Sequence, residues 1–332
     1  MVRKVRRYMK KRKLFALAGM LVMMACGISG CGAKGETATE VNIGYFNNVT
    51  HPQALLMKAE GSLESAYGSE IGVKWTAFNA GPAEVEALFA GDIDIGYIGP
   101  VPAVSANVKS MGDVQILSGA TKGGAVLVKK QGSTISSVAD LAGKTVAIPQ
   151  LGNTQHLSLL HLLAENHLQP VTDGGDVNVS AVANADVANM MERGDIEAAL
   201  VPEPWGATLE SQGAELLLDY NQIYLEGQYD VAVVVVRKDF QEANPELVQK
   251  FLEQHEAATK KINEDKENCL KTINTELKNA TGKSLGDDII AKAFERIVVN
   301  TELNKESIQG FAEISKEQKF IQKLPDDSLY AK

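Results

Sequence analysis

Four short loops of this chain set hydrogen-bond donors directly in front of apolar helical stretches. They are Asn47-Asn48-Val49-Thr50-His51-Pro52, Asn79-Ala80-Gly81-Pro82, Ile98-Gly99-Pro100-Val101-Pro102 and Pro149-Gln150-Leu151-Gly152-Asn153-Thr154-Gln155. The first backbone amides of a helix have no partner within the helix, and its dipole places partial positive charge there. Such a mouth holds an anion without a cationic side chain. The fourth loop is the richest, because Gly152, Asn153, Thr154 and Gln155 open a helix carrying Leu157, Leu159, Leu160, Leu162 and Leu163. In the first loop, Thr50 either caps its own helix or hydrogen-bonds an anion. His51, fixed beside Pro52, could face an anion as imidazolium, although the helix dipole opposes its protonation. Gly81 allows a tight turn and close backbone approach, and Pro82 suits the first helical turn. Gly99 and Pro100 end a strand in bare, stiff backbone.

A fifth segment, Pro202-Glu203-Pro204-Trp205, ends a strand at the corresponding edge of a second unit. Trp205 could wall a ligand with its amphipathic ring. Glu203 would repel an anion, which leaves it to pair with a cationic ligand end, with Lys122, or with backbone donors. No motif of nucleophilic, phosphate-loop or zinc-hydrolase chemistry occurs. His156, His161 and His167 are spaced 5 and 6 apart, so no neighbouring pair shares a helix face, and neither a metal nor another cofactor is expected. Asp92-Ile93-Asp94 reads as a turn.

The elements that must carry these loops repeat. A strand at Val41, a polar loop, an apolar helix, a strand near Val73–Phe78 and a second helix end at Gly91-Asp92-Ile93. The same order starts again at Lys144, passes a strand near Val177–Val182 and ends at Gly194-Asp195-Ile196, with both Gly91 to Gly194 and Ile43 to Val146 separated by 103 positions. Alternating strands and helices predict parallel sheets, with ligands at the carboxyl ends of the strands. Gly119–Gly124 is expected to carry the first crossing between lobes. The apolar run Val231–Val236 is expected to be a buried strand, to pair with Ala125–Lys129 and to make the return crossing. Asn244-Pro245-Glu246 should open a helix reaching about Lys261, and the stripe Ile289, Ile290, Phe294, Ile297, Val298 one packed helix. The predicted fold class is α/β, a two-lobe clamshell whose lobes are mainly parallel sheets flanked by helices, one lobe inserted into the other. The expected divisions are 41–121 for the first part of lobe I, 122–237 for lobe II, and 238–332 for a helical part returning to lobe I.

The first 30 residues hold eight basic side chains, no acid, and an apolar run from Leu14 to Ile28. That run is shorter than the roughly 20 residues of a bilayer span, and with small residues at its exit it has the pattern of an export signal. The exit Ile28-Ser29-Gly30-Cys31 resembles a bacterial lipobox. Cys31 is therefore the expected lipidation site and 31–40 a tether; Met24-Ala25-Cys26 is a less favourable alternative. Eight of the 33 basic residues lie before Cys31 and none of the 42 acids does, so the remainder holds 25 basic against 42 acidic side chains, a formal net charge of −17. So acidic a chain excludes a nucleic-acid binder. Beyond Cys26 and Cys31 there is only Cys269, so neither a disulfide nor a cysteine-based metal cluster can form.

The segments IGYFNNVTHPQAL (43–55), FNAGPAEVEALFAGDIDIGYIGPVPA (78–103), GATKGG (119–124), PQLGNTQH (149–156) and VPEPW (201–205) give a resemblance. The chain resembles the nitrate/sulfonate/bicarbonate-type substrate-binding proteins of ABC importers, and most closely their aliphatic-sulfonate-binding branch. The resemblance implies a clamshell with the type II periplasmic-binding-protein fold, one that captures a small anion and delivers it to a permease. It implies ligand-lining positions at Asn47, Thr50, His51, Asn79, Gly81, Gly99, Pro100, Thr121 and Gln155. It also implies an exported, monomeric protein with no enzymatic activity, held by lipid at the outer face of a bacterial cell membrane. Taurine, nitrate and pyrimidine compounds are alternative ligands, a ligand-sensing lipoprotein is an alternative role, and a thiamin-pyrimidine synthase-like enzyme is a remote one.

Overall fold

Alternation of Val41, Ile43 and Tyr45 with smaller or polar residues makes β1 (Glu40–Phe46) a strand covered on both faces. The computed structural model describes residues 38–332; the export segment, Cys31 and the start of the tether lie outside the described residues. After β1 come α1 (Pro52–Glu60), α2 (Ser62–Tyr67), β2 (Gly72–Phe78), α3 (Gly81–Ala90), β3 (Ile95–Ile98), α4 (Pro100–Lys109) and β4 (Val114–Gly123). The second unit holds β5 (Ala125–Lys129), β6 (Thr145–Ile148), α5 (Thr154–Glu165), β7 (Asn178–Ala181), α6 (Val187–Arg193), β8 (Ala198–Pro202), α7 (Trp205–Ser211) and β9 (Glu215–Leu218). The chain then returns through β10 (Asp230–Arg237), α8 (Lys238–Ala243), α9 (Pro245–Glu264), α10 (Lys266–Thr281), α11 (Asp287–Glu295), β11 (Ile297–Val299) and α12 (Lys305–Glu317).

The strands form two sheets, one per lobe, in the orders β11-β4-β10-β3-β1-β2 and β7-β6-β8-β5-β9. The repeat is visible in the pairing itself. Ile43 faces Ile95 in the first sheet and Val146 faces Ala198 in the second, each 103 positions further on. Gly91 and Gly194, also 103 apart, end α3 and α6 in the left-handed conformation, with φ 79° and 81°. The first crossing runs through Gly123 and Gly124, both at positive φ, as expected from the glycine-rich segment.

Three expectations need correction. Both sheets are mixed rather than mainly parallel, because β10 runs antiparallel to β3 and β4, and β5 antiparallel to β8 and β9. The strand 231–236 pairs with β3 and β4 of the first lobe, not with Ala125–Lys129. Both edges of β5 are taken by β8 and β9, whereas the central slot of the six-stranded sheet suits a strand with no polar face. The stripe 289–298 is not one helix: α11 stops at Glu295, and the edge of β4 captures Ile297–Val299 as a strand.

α12 packs on both lobes. Ile308 and Ala312 belong to the cluster beneath β10 with Val104 and Val233, while Phe311 and Ile314 belong to the second lobe's cluster with Leu157 and Leu160. Among the described residues no helix is long and apolar enough to cross a membrane.

Candidate ligand-binding site

Four helices end their approach at one cavity. Their N-cap residues are His51 for α1, Ala80 for α3, Gly99 for α4 and Asn153 for α5, and all four line a cavity of about 20 Å³ between the lobes. That is room for about one water molecule, so the lobes must part further to admit anything larger. No side chain caps α1, α3 or α4, so their first-turn donors are not claimed by the protein's own carboxylates or hydroxyls. Proline at 52, 82 and 100 fixes the entry of each of these helices. In α5, Asn153 Oδ1 accepts the His156 amide at 2.8 Å, and Asn153 Nδ2 donates to Gln155 Oε1 at 3.1 Å. The Thr154 hydroxyl is buried, has no partner, and lines the cavity. Gly99 of the first lobe faces it so closely that a Cβ there would overlap Thr154 Oγ1. Asn48, Thr50, Asn79 and Asn184 complete the polar wall, and Phe46, Pro102, Pro149, Pro202 and Val231 the apolar one.

His51 is the one ionisable side chain of this lining, and burial lowers its pKa to about 3. It is therefore neutral at physiological pH. Its Nδ1 accepts the Phe46 amide at 3.2 Å, so the neutral ring carries its proton on Nε2. The imidazolium reading thus gives way to a neutral donor.

Of the expected site residues, Thr50, His51, Asn79, Gly81, Gly99, Asn153, Thr154 and Gln155 line the cavity. The others stand beside it. Thr121 supports the first loop by donating from Oγ1 to the Thr50 carbonyl at 2.7 Å. Thr50 does not cap α1; its hydroxyl donates to Asn48 Oδ1. Pro100 starts α4 without entering the lining, Asn47 keeps a buried Oδ1 without partner, and Gln150 accepts the Asn153 amide through its carbonyl. The Gly152 amide is spent inside the loop, donating to His156 Nδ1 at 3.0 Å, so it is not a ligand donor. Trp205 packs into the second lobe with Val126 and Val201. Glu203 is fully buried; its Oε1 accepts from Arg296 at 2.7 Å and its Oε2 from the Ala207 amide at 3.0 Å. Burial raises its pKa despite these donors. Lys122 is not its partner. Arg296 also binds Glu210 at 2.7 Å and Asp219 at 3.0 Å, so it is shared among three carboxylates, none of which lines the cavity.

Phe46, Asn48, Ala80, Pro102, Pro149, Asn184, Pro202 and Val231 line the cavity but were not among the expected site residues. The repeat holds the signal for Asn184 and Pro202, which follow from Gly81 and Gly99, and it relates Phe46 to Pro149. Shifting Phe46, Thr50, His51, Gly81 and Gly99 by 103 gives Pro149, Asn153, Thr154, Asn184 and Pro202, and every one of these lines the cavity. The site is thus built by equivalent strand ends of two repeated units.

A cleft between two such lobes, walled by helix mouths at the carboxyl ends of strands, defines the periplasmic-binding-protein class of folds. The structure superposes on the alkanesulfonate-binding protein SsuA from Xanthomonas axonopodis pv. citri bound to MOPS with a TM-score of 0.74 at 22% identity, covering 89% of this chain and 99% of that one. The periplasmic aliphatic sulphonate binding protein SsuA from Escherichia coli gives 0.71 at 22% identity, covering 89% and 93%. The taurine-binding periplasmic protein of Escherichia coli K12 is 33% identical over 215 residues, so the match spans just under two thirds of that protein's length and 64% of this chain. A profile of the NMT1-like family matches residues 34–275, and the chain belongs to that family.

Proposed function

We propose that this protein is an extracytoplasmic solute-binding protein that captures a small anion, an aliphatic sulfonate, and delivers it to an ABC-type permease. One observation carries the reading: four helix mouths of both lobes meet at a cavity lined by no charged side chain. Anion charge there is met by amides, the Thr154 hydroxyl and the neutral His51 ring. An apolar wall of Phe46, Pro102, Pro149, Pro202 and Val231 suits a hydrocarbon tail. No carboxylate lines the cavity, and Glu203 is paired with Arg296, so an ammonium at the far end of a zwitterion such as taurine would meet only neutral oxygens. This favours an alkanesulfonate with an uncharged tail. The lipobox-like Cys31 supports lipid anchoring at the outer face of the cell membrane, and the protein acts there as a monomer.

The test is calorimetric titration of the purified protein with propane-1-sulfonate, taurine, nitrate, sulfate and a pyrimidine. Propane-1-sulfonate is expected to bind tightest and to raise the melting temperature; a ligand at about 100 times its Kd adds about 2.7 kcal/mol. Binding of the pyrimidine alone would refute the anion site, and taurine binding tighter than its isostere propane-1-sulfonate would refute the uncharged tail.

A further inference from the structure

The fourth loop is braced by a residue far beyond the part of the chain that matches the family. After α12, Lys319 adopts a left-handed backbone (φ 62°), and the amides of Phe320 and Ile321 both donate to the Ser315 carbonyl, at 2.8 and 3.3 Å. This turn sends two consecutive side chains to different lobes. Ile321 is buried in the first lobe's cluster with Val104 and Ile116, and Phe320 packs at the edge of the second lobe's cluster. The Phe320 ring stands edge-on to His156, with centroids 5.3 Å apart and planes at 86°. It also covers Gly152, where a Cβ would lie 3.5 Å from Phe320 Cε1. His156 in turn accepts the Gly152 amide, two residues before Thr154.

We propose that Phe320 is a positioning residue of the anion site: it holds the His156 ring against the Gly152 amide and so fixes the turn that aims Asn153, Thr154 and Gln155 into the cavity. This rests on the reading of that cavity as an anion site. Gly152 lies at φ 80°, one of several conformations open to glycine, so its contacts with His156 and Phe320 select this one beside solvent-exposed Leu151. Burial beneath Phe320 keeps His156 neutral, with its pKa lowered to about 4, and Asp173 is the nearby charge that pulls it upward. A neutral ring is required, because protonated Nδ1 could not accept the amide.

The experiment compares the full chain with Phe320→Ala and Phe320→Leu. Three quantities are read: affinity for propane-1-sulfonate, the NMR titration of the His156 ring, and hydrogen exchange of the Gly152 amide, the last two without ligand. In Phe320→Ala the His156 midpoint should move from about 4 toward 6.5, Gly152 exchange should quicken, and affinity should fall about tenfold or more, as when one hydrogen bond to a charged group is lost. Phe320→Leu should lie between, and it carries the test should the alanine variant not fold. A lower melting temperature with unchanged His156 titration and unchanged affinity would show a packing role only and overturn the proposal. Unchanged affinity despite a shifted His156 would overturn it too. Should the wild-type protein bind no anion at all, the reading of the cavity fails instead, while His156 and Gly152 still report whether Phe320 braces the turn.

Discussion

Thr154→Val tests the site most directly. The Thr154 hydroxyl is buried and hydrogen-bonds to no protein atom, and Thr154 lines the cavity. Valine keeps the branched shape and removes only that donor. In the protein without ligand nothing is broken, so the melting temperature should hold or rise slightly, since an unsatisfied buried polar group is itself unfavourable. With ligand, a hydrogen bond to a charged oxygen is lost, which costs about 1.5–3 kcal/mol, or roughly 10- to 150-fold in Kd. Titration calorimetry with propane-1-sulfonate, paired with thermal unfolding of the ligand-free protein, separates the two effects. An unchanged Kd would refute the role of Thr154. A weaker Kd accompanied by a fall of several degrees in melting temperature would refute the claim that its hydroxyl is free for the ligand.

Gly99→Ala should weaken sulfonate binding with little effect on folding of the separate lobes, because the new methyl overlaps Thr154 across the cleft; scattering with saturating ligand would show whether closure is blocked. Sulfonate affinity should be flat between about pH 5 and 8, since His51 stays neutral there, and a steep decline abolished by His51→Gln would reinstate the imidazolium. Stability should fall on acidification: His51, His156 and His255 have folded pKa values of about 3, 4 and 4, below their ordinary 6.5, so their contribution is present above pH 6.5 and is lost as pH falls toward 4. A melting temperature level from pH 7 to 4.5 would contradict this. Glu84 is fully buried in a slot left by Gly44 and Gly96, neither carboxyl oxygen has a partner, and burial raises its pKa well above 4.5. Stability associated with it is complete below pH 4.5 and is lost as pH rises, so Glu84→Gln should raise the melting temperature at pH 8 more than at pH 4. Cys31→Ser should release the protein from the membrane, as fractionation and lipid labelling would show; labelling that persists there but vanishes in Cys26→Ser would move the processing site.

Much of this fold is local in origin and therefore legible in sequence. Helix starts at Pro52, Gly81, Pro100 and Thr154 follow from proline and capping chemistry, and the stops at Gly91 and Gly194 from left-handed glycines. The 103-residue interval, with those starts, placed eight of the site positions at a common edge. What the sequence left open depends on partners far away in the chain. Val231–Val236 is a buried strand on composition alone, but which sheet receives it is settled by which strand edges are free. Glu203, Trp205 and Gly152 have residue types suited to a ligand, yet each is engaged elsewhere: by Arg296, 93 positions on, by the second lobe's core, and by His156. The neutrality of His51 follows from burial, which no local pattern reports. Phe320 is one aromatic among nine phenylalanines until the turn after α12 lays it on His156. Periodicity and capping act over a few residues, so sequence determined the elements and their mouths. Burial, charge pairing and bracing act between residues distant in the chain, so only the tertiary structure decided which donors remain free for an anion.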